Sequence, residues 1–185
     1  FIRGFLATDK KIENRNDFPF YGNWNETEKC GLYFYTHNKT AVHFASNESV
    51  TLFLLGHCYD PFLMEIDEEK ILADFLRAYG TDKYYERISE ITGVYVLGSI
   101  ENGKIKFSVD PAGMQSACYG VIDGLFFLSS HPQLIGDICS LKMDDFVKEL
   151  VNYKWYGRVM GPYLPADLSP FANVKRIIPS TEYTY

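Results

Sequence analysis

The chain has 185 residues, of which 46% are hydrophobic and 16% aromatic, and its formal net charge at pH 7 is -6. This length suits one domain with a sizeable core, and an acidic balance without a basic run excludes general binding to nucleic acids or anionic membranes. No stretch approaches the roughly 18–20 apolar residues that a transmembrane helix needs. Residues 1–11 do not resemble a signal peptide, so we expect a cytoplasmic protein.

The first part of the chain is predicted to form strands. Apolar and β-branched runs predict strands at residues 1–8, 31–36, 40–46 and 50–56. The polar stretch 9–29, which contains Pro19, predicts a loop. The turn-like residues 37–39 predict a hairpin between the second and third strands, so that residues 31–56 form one meander. The uninterrupted apolar run 50–56 is typical of a strand buried on both faces.

The clearest predicted helix covers residues 67–79. Asp67 is a suitable N-cap, and Glu68 and Glu69 place negative charge in the first turn, where the helix dipole favours it. Apolar residues at helical spacing form one face, namely Ile71, Leu72, Phe75, Leu76 and Tyr79. Gly80 is a natural stop for this helix, and a shorter helix is predicted at residues 83–89.

The second part of the chain is predicted to form hairpins and short helices. Strands at 94–100 and 104–109 are joined by Asn102-Gly103, and strands at 116–122 and 125–130 by Asp123-Gly124. Helices at 132–138 and 143–153, a loop at 157–173 and strands at 174–178 and 182–185 follow. Strands and helices occur in separate runs, without parallel βαβ alternation, so we predict an α+β fold with mainly antiparallel sheets. Because the chain ends inside a predicted strand, we expect residues 1–185 to be a single domain at the start of a longer protein.

The cysteines and the other polar side chains show no motif of known chemistry. The sequence contains 4 cysteines, at Cys30, Cys58, Cys118 and Cys139. Their spacing fits neither a disulfide scaffold nor a zinc site, so we predict free, partly buried thiols. The acidic residues around Asp67 are explained by a helix start, and the histidines lack the spacing of metal ligands, so we expect no metal. Tyr33, Phe34 and Tyr35 are interpreted as sheet packing.

Two longer segments carry a resemblance to a known family. They are residues 52–60 with the helix that follows, and residues 93–135, with Gly93, the Asn102-Gly103 hairpin, the Asp110 to Gly113 bend and Ser129-Ser130 in order. This pattern resembles the N-terminal glutaminase-type domain of the asparagine synthetase family, the class II glutamine amidotransferases. The tail Ile177-Ile178-Pro179-Ser180 resembles the segment that leads to the synthetase domain. The resemblance implies the four-layer αββα sandwich of the N-terminal nucleophile (Ntn) hydrolases.

The resemblance also implies where the active-site residues would lie. In the family, an N-terminal Cys is the nucleophile and its own amine is the base; the matching position here is Phe1. An Asn-Gly pair that supplies oxyanion donors matches Leu55 and Gly56, and the loss of one such donor costs about 2.7–4 kcal/mol. The Arg that pairs with the glutamine carboxylate is absent from residues 40–46, where only His43 is a weak substitute. The Asp that holds the glutamine amine matches Asp67.

One alternative nucleophile is Cys30, because Cys30-Gly31-Leu32 imitates the family's start and cleavage before it would expose the thiol. However, Cys30 precedes Leu55-Gly56 by too few residues for the usual intervening elements. Cleavage there would also remove the predicted first strand.

The leading hypothesis is therefore a catalytically inactive glutaminase-like domain of an ATP-dependent, amide-forming protein related to glutamine-hydrolysing asparagine synthase. It would act as a scaffold for a C-terminal ATP-pyrophosphatase (synthetase) domain in the same chain. ATP and Mg²⁺ are expected only in that domain, and no cofactor is expected in this one. A homodimer is compatible with this interpretation. The alternatives are an active glutamine-hydrolysing asparagine synthase with an unusual N-terminus, and a non-enzymatic module that binds a small ligand or a peptide.

Overall fold

The computed structural model describes residues 1–13, 22–161 and 163–185. The strands and helices of these residues are β1 (Phe5–Thr8), β2 (Trp24–Lys29), β3 (Leu32–His37), β4 (Val42–Ser46), β5 (Val50–Tyr59), α1 (Glu68–Ala78), α2 (Asp82–Glu90), β6 (Thr92–Glu101), β7 (Lys104–Val109), β8 (Cys118–Ile122), β9 (Leu125–Ser129), α3 (Pro132–Ile138), α4 (Asp145–Asn152), α5 (Tyr156–Val159), β10 (Val174–Arg176) and β11 (Tyr183–Thr184). The described residues form two compact units. The first unit contains Phe1–His37 and Ser116–Ile178, and the second contains Asn38–Gln115 and Pro179–Tyr185.

The first unit is built on a sheet with the strand order β10-β8-β9-β1-β3-β2. Its strand pairings are antiparallel. Helix α3 packs against β9 and β10. The core of this unit contains Leu6, Trp24, Tyr35, Cys118, Ile122, Phe127, Leu134, Ile135, Phe171 and Val174. Strand β1 lies inside the sheet between β9 and β3, and its residues are buried along its whole length.

The second unit is built on an antiparallel sheet with the strand order β11-β7-β6-β5-β4. Helix α1 packs against β4 and β5, and α2 packs against α1. Leu52 and Leu54 of β5 join Ile71, Leu72 and Phe75 of α1 in the core of this unit. Phe53 and Leu55 alternate to the other face of β5 and are also buried. The prediction of a strand buried on both faces is therefore confirmed.

The predicted fold class is confirmed, since helices and antiparallel sheets occur together in the α+β manner. The Asn102-Gly103 and Asp123-Gly124 hairpins form as predicted. In both turns the two central residues have positive φ, which the asparagine and aspartate tolerate and the glycine favours. The helices predicted at 83–89 and 132–138 are also present, as α2 and α3.

The predicted hairpin between the strands at 31–36 and 40–46 is wrong, and with it the meander over 31–56. Strand β3 pairs with β1 and β2 in the first unit, whereas β4 pairs with β5 in the second. The hairpin that does form is β2–β3, which turns at Cys30-Gly31 with φ values of 51° and 79°. Turn residues indicate where a chain can reverse, but they do not specify which strand becomes the neighbour.

The predicted loop at 9–29 contains strand β2, while residues 14–21 of that prediction, with Pro19, lie outside the described residues. The strand was missed because its sequence, WNETEK, is mostly polar. It lies at the edge of its sheet and only Trp24 is buried, so apolar alternation is not required there.

Smaller differences between the predicted and the observed elements occur toward the two ends of the chain. Strand β1 begins at Phe5 instead of residue 1, and the loop predicted at 157–173 overlaps the short helix α5. The helix predicted at 143–153 is shorter, as α4, and its apolar side chains are only partly buried, since Val147 is buried but Phe146 is 61% exposed. Among the described residues, no helix is long and apolar enough to cross a membrane.

Candidate functional site

Phe1, the residue that matches the family's nucleophile, lies in the turn before β1 in the first unit. Its carbonyl accepts a hydrogen bond from the amide of Gly4 at 3.3 Å. Its ring meets the imidazole of His131 edge to face, with 5.1 Å between the ring centroids. A benzyl group has no lone pair with which to attack an amide carbon, so this side chain acts by packing.

Ser129 and Ser130, two residues that carry the sequence resemblance, hold the start of β1. The amide of Phe5 donates to Ser130 Oγ at 2.9 Å, and the Phe5 carbonyl accepts from Ser129 Oγ at 3.1 Å. The Ser130 amide also donates to the Phe5 carbonyl at 3.0 Å. These bonds connect the end of β9 to the first residue of β1 across more than a hundred residues of sequence. The serine pair therefore fixes where the segment before β1 enters the sheet.

Ser130 and His131 also have the spacing of a nucleophile and its base, because Ser130 Oγ lies 2.8 Å from His131 Nδ1. Burial lowers the pKa of His131, which favours the neutral imidazole. However, Ser130 is only 2% exposed, and its hydroxyl already bonds the backbone of Phe5. A substrate carbonyl would have to displace β1 to reach this oxygen, so the pair is structural.

Cys30 lies far from Phe1 within the same unit. It occupies the β2–β3 turn, and the register of β1 against β3 pairs Phe5 with Thr36 and Thr8 with Tyr33. The β2–β3 turn therefore lies past Thr8, at the end of β1 that is farther from Phe1. Strand β1 has 4 residues, and a strand of that length spans about 13 Å. Cleavage before Cys30 would also remove β1 itself, which is buried inside its sheet.

The other thiols lie in positions that disfavour the reactive thiolate. Burial, with the nearby charges of Glu68 and Asp60, raises the pKa of Cys58 to about 12. Burial also raises the pKa of Cys118, and it raises the pKa of Cys139 to about 11. Cys58 and Cys118 are buried within strands. All 4 cysteines are described residues and none is in a disulfide. The predicted burial holds for Cys58, Cys118 and Cys139, whereas Cys30 is exposed.

Leu55 and Gly56, which match the family's oxyanion pair, lie on β5 in the second unit. Leu55 is 1% exposed and pairs with Val42 of β4. The Gly56 amide already donates a hydrogen bond to the carbonyl of Ala41 at 3.0 Å. The backbone donor that the resemblance assigns to Gly56 is thus used inside the sheet. Its role in binding substrate stays a prediction.

His43 lies near Glu68, the first residue of α1, which directly follows Asp67 in the second unit. Glu68 Oε1 is 3.1 Å from His57 Nδ1, and Glu68 Oε2 is 4.0 Å from His43 Nε2. His43 Nε2 is buried and makes no hydrogen bond to the described residues. His43 therefore faces a carboxylate of the protein itself, which makes it a poor partner for the carboxylate of a ligand.

Asp67 caps helix α1, as the sequence predicted. Its carboxylate accepts hydrogen bonds from the amides of Glu69 at 3.0 Å and Lys70 at 3.4 Å. These amides are among the donors that the first turn of a helix leaves without an intrahelical partner. The capping contacts explain Asp67 without a ligand.

We expect Asp67→Ala to lower the free energy of unfolding by about 1 kcal/mol, because the first turn of α1 loses its acceptor. Asp67→Asn is the matched control and should stay within about 0.3 kcal/mol of the wild type, since asparagine caps equally well. Urea unfolding followed by far-UV circular dichroism measures both. Equal stability of Asp67→Ala and the wild type would show that the cap contributes nothing.

Sequence reasoning missed the strongest charge cluster of the second unit, which is centred on Arg87. The guanidinium of this α2 residue bonds Asp60 Oδ2 at 2.6 Å and Asp74 Oδ2 at 2.8 Å, and it also bonds Glu90. Burial alone would raise the pKa of Asp60, but hydrogen bonds from the Leu63 amide and from Arg87 outweigh it and lower that pKa. Asp60, Asp74 and Arg87 line a cleft of about 370 Å³. Asp60 and Arg87 are 27 residues apart in sequence, so no local pattern connects them.

Among the described residues, no group of His, Cys, Asp and Glu has the arrangement of a metal site. The acidic residues near Asp67 instead serve the helix start and its neighbours. Glu65, for example, accepts from the amides of Ile66 and Asp67 at 3.1 Å each.

The chain is similar to glutamine phosphoribosylpyrophosphate (PRPP) amidotransferase from B. subtilis, complexed with ADP and GMP. The TM-score is 0.44 and the identity 11%, over 75% of this chain and 38% of that chain. A second structure, titled the allosteric regulatory enzyme of purine biosynthesis, has a TM-score of 0.44 and 12% identity over the same shares. The chain thus spans 38% of the length of both. No family model matches the sequence, and no curated protein matches it. Likeness at this level assigns neither a family nor an activity.

Proposed function

We propose that this chain is a glutaminase-like domain that does not hydrolyse glutamine and that belongs to an ATP-dependent, amide-forming protein related to asparagine synthase. In this proposal it is a scaffold for a synthetase domain of the same polypeptide. ATP and Mg²⁺ would be used in that domain. The proposal combines the sequence resemblance with the positions of the thiols.

The observation that carries the proposal is the placement of the cysteines. Glutamine hydrolysis of this type needs a thiol and an amine on one residue at the start of β1. Phe1 is near that position and has no sulfur. Cys30 lies on a hairpin turn beyond the far end of β1, and Cys58 and Cys118 are buried in strands.

The residues of the second unit that match the family's substrate-binding positions support the same conclusion. Substrate binding in the family uses an amide donor and a cation, whereas here Leu55 is apolar and buried. The Gly56 amide bonds Ala41, and His43 faces Glu68. A glutamine molecule would find neither an oxyanion donor nor a charge partner at these positions.

The test is glutamate release from glutamine by the intact native protein, compared with its Cys30→Ser variant. We expect no release above the buffer background from either protein, and no covalent adduct with a diazoketone analogue of glutamine in the intact mass spectrum. Release that is lost in Cys30→Ser would support the Cys30 alternative and refute the proposal. Release that survives Cys30→Ser would also refute it. The mass of the native N-terminus identifies any upstream cysteine that is responsible.

A further inference from the structure

The second unit contains a cleft whose walls combine aromatic rings and carboxylates. Its volume is about 330 Å³, which is at the lower end of the range for small-molecule sites. Tyr79, Tyr84, Tyr85, Glu101, Lys106 and Glu182 contribute to its lining. The residues come from the end of α1, from α2, from the β6–β7 hairpin and from the segment before β11. The glutaminase resemblance assigns no role to any of them.

The tyrosines form adjoining walls. The rings of Tyr79 and Tyr84 are 5.0 Å apart at an interplanar angle of 74°, and those of Tyr84 and Tyr85 are 5.3 Å apart at 73°. Tyr84 is 6% exposed and also packs edge to face on Phe75, so the central wall is rigid. Tyr85 is 56% exposed and forms the outer edge. Both pairs are edge to face, so within each pair the positive edge of one ring meets the negative face of the other, which holds the three rings in place.

Two carboxylates, those of Glu101 and Glu182, add negative charge to the cleft. Tyr79 Oη donates to Glu101 Oε2 at 3.2 Å, which orients the carboxylate, and Tyr85 Oη lies 3.5 Å from both Glu182 oxygens. The cation present is Lys106, whose Nζ is 3.8 Å from Glu182 Oε1. This exceeds the roughly 2.7–2.9 Å of a charge-assisted hydrogen bond. Two carboxylates and one ammonium leave the lining with an excess negative charge.

We propose that this cleft binds a small organic ammonium ion. The accessible rings are those of Tyr79, which is half-buried, and Tyr85, which is exposed, and they would attract the charge and the apolar substituents of such an ion, as aromatic side chains do for quaternary ammonium groups. Glu101 and Glu182 supply Coulombic attraction that an anion or an uncharged ligand would not receive. A bare metal ion fits less well, because the lining contains two carboxylates beside an ammonium, and no group of three or more metal-ligating side chains occurs among the described residues.

Nuclear magnetic resonance titration of the ¹⁵N-labelled chain with choline tests the proposal. We expect the amide signals of Tyr79, Gly80, Tyr85 and Glu101 to shift in a saturable manner, with a dissociation constant on the order of 1 mM. The uncharged isostere 3,3-dimethylbutan-1-ol should bind at least about tenfold more weakly. Equal shifts with both compounds, or no saturable shift with choline, would overturn the proposal.

Substitutions locate the site. Tyr85→Ala and Glu101→Gln should each weaken choline binding about threefold or more, whereas Lys106→Met should strengthen it because the competing ammonium is removed. Tyr59→Ala is the matched control, since Tyr59 is an exposed tyrosine outside the cleft, and it should leave the affinity unchanged. Unchanged signals away from the cleft verify that each variant is folded. Weakening by Tyr59→Ala as large as that by Tyr85→Ala would contradict this location.

Discussion

Replacement of Arg87 by methionine is expected to lower the free energy of unfolding by about 3 kcal/mol at pH 7. The reason is Asp60, which is 1% exposed and would keep its buried charge without the guanidinium that neutralises it. Asp60 Oδ1 still accepts hydrogen bonds from the amides of Phe62 and Leu63 at 2.9 Å each, which limits the loss. Urea unfolding followed by far-UV circular dichroism measures the change. Faster hydrogen exchange at Phe62 and Leu63 would show that the loop after β5 loosens.

Arg77→Met is the matched control for this experiment. Arg77 also pairs with Asp74, at 3.0 Å, but its side chain is 74% exposed. Exposed pairs contribute about 0–1 kcal/mol, so this variant should remain close to the wild type. If the two methionine variants are equally stable, the Arg87 cluster does not stabilise the second unit.

The effect of Arg87→Met also depends on pH in a definite direction. The hydrogen bond from Arg87 to Asp74 lowers the pKa of Asp74, and the bonds described above lower that of Asp60 despite its burial. Carboxyls with a lowered pKa stabilise the native state above the unfolded pKa of about 4, and this contribution is lost as the pH falls through the folded values. The difference between the wild type and Arg87→Met should therefore shrink from pH 7 to pH 3. A constant difference would contradict the electrostatic origin.

Gly56→Ala is expected to lower the free energy of unfolding by about 3 kcal/mol or more. Gly56 has φ of +110°, and a Cβ placed there would lie 2.3 Å from the carbonyl oxygen of Val94 on the neighbouring strand. Both partners are backbone in the middle of the β5–β6 ladder, so neither can move without breaking sheet hydrogen bonds. Urea unfolding of the variant gives the value.

Gly80→Ala separates the effect of φ from the effect of the close contact. Gly80 has φ of +79°, but a Cβ there would meet nothing within 4 Å. We expect a cost of about 1 kcal/mol from the backbone conformation alone. If Gly56→Ala is as stable as the wild type, the close backbone contact does not constrain this position.

The elements with strong local chemistry were predictable. The cap at Asp67 and the apolar spacing from Ile71 to Phe75 define α1 without any distant contact. The Asn102-Gly103 and Asp123-Gly124 turns define their hairpins, because residues that accept positive φ are rare and were placed where the strands reverse. The candidate positions at Phe1, Leu55, Gly56 and His43 came from the resemblance, and their roles stay predictions.

By itself the sequence determined the α+β class, the helices of the second unit and the two hairpins that turn at Asn102-Gly103 and Asp123-Gly124, since these depend on side chains a few residues apart. Only the tertiary structure decided that β1 lies between β3 and β9, that β3 and β4 belong to different sheets, and that Arg87 binds Asp60. Each of these depends on contacts between residues distant in sequence. Strand pairing and buried charge pairing are selected by the free energy of the whole packed unit, which a local pattern of residues does not contain.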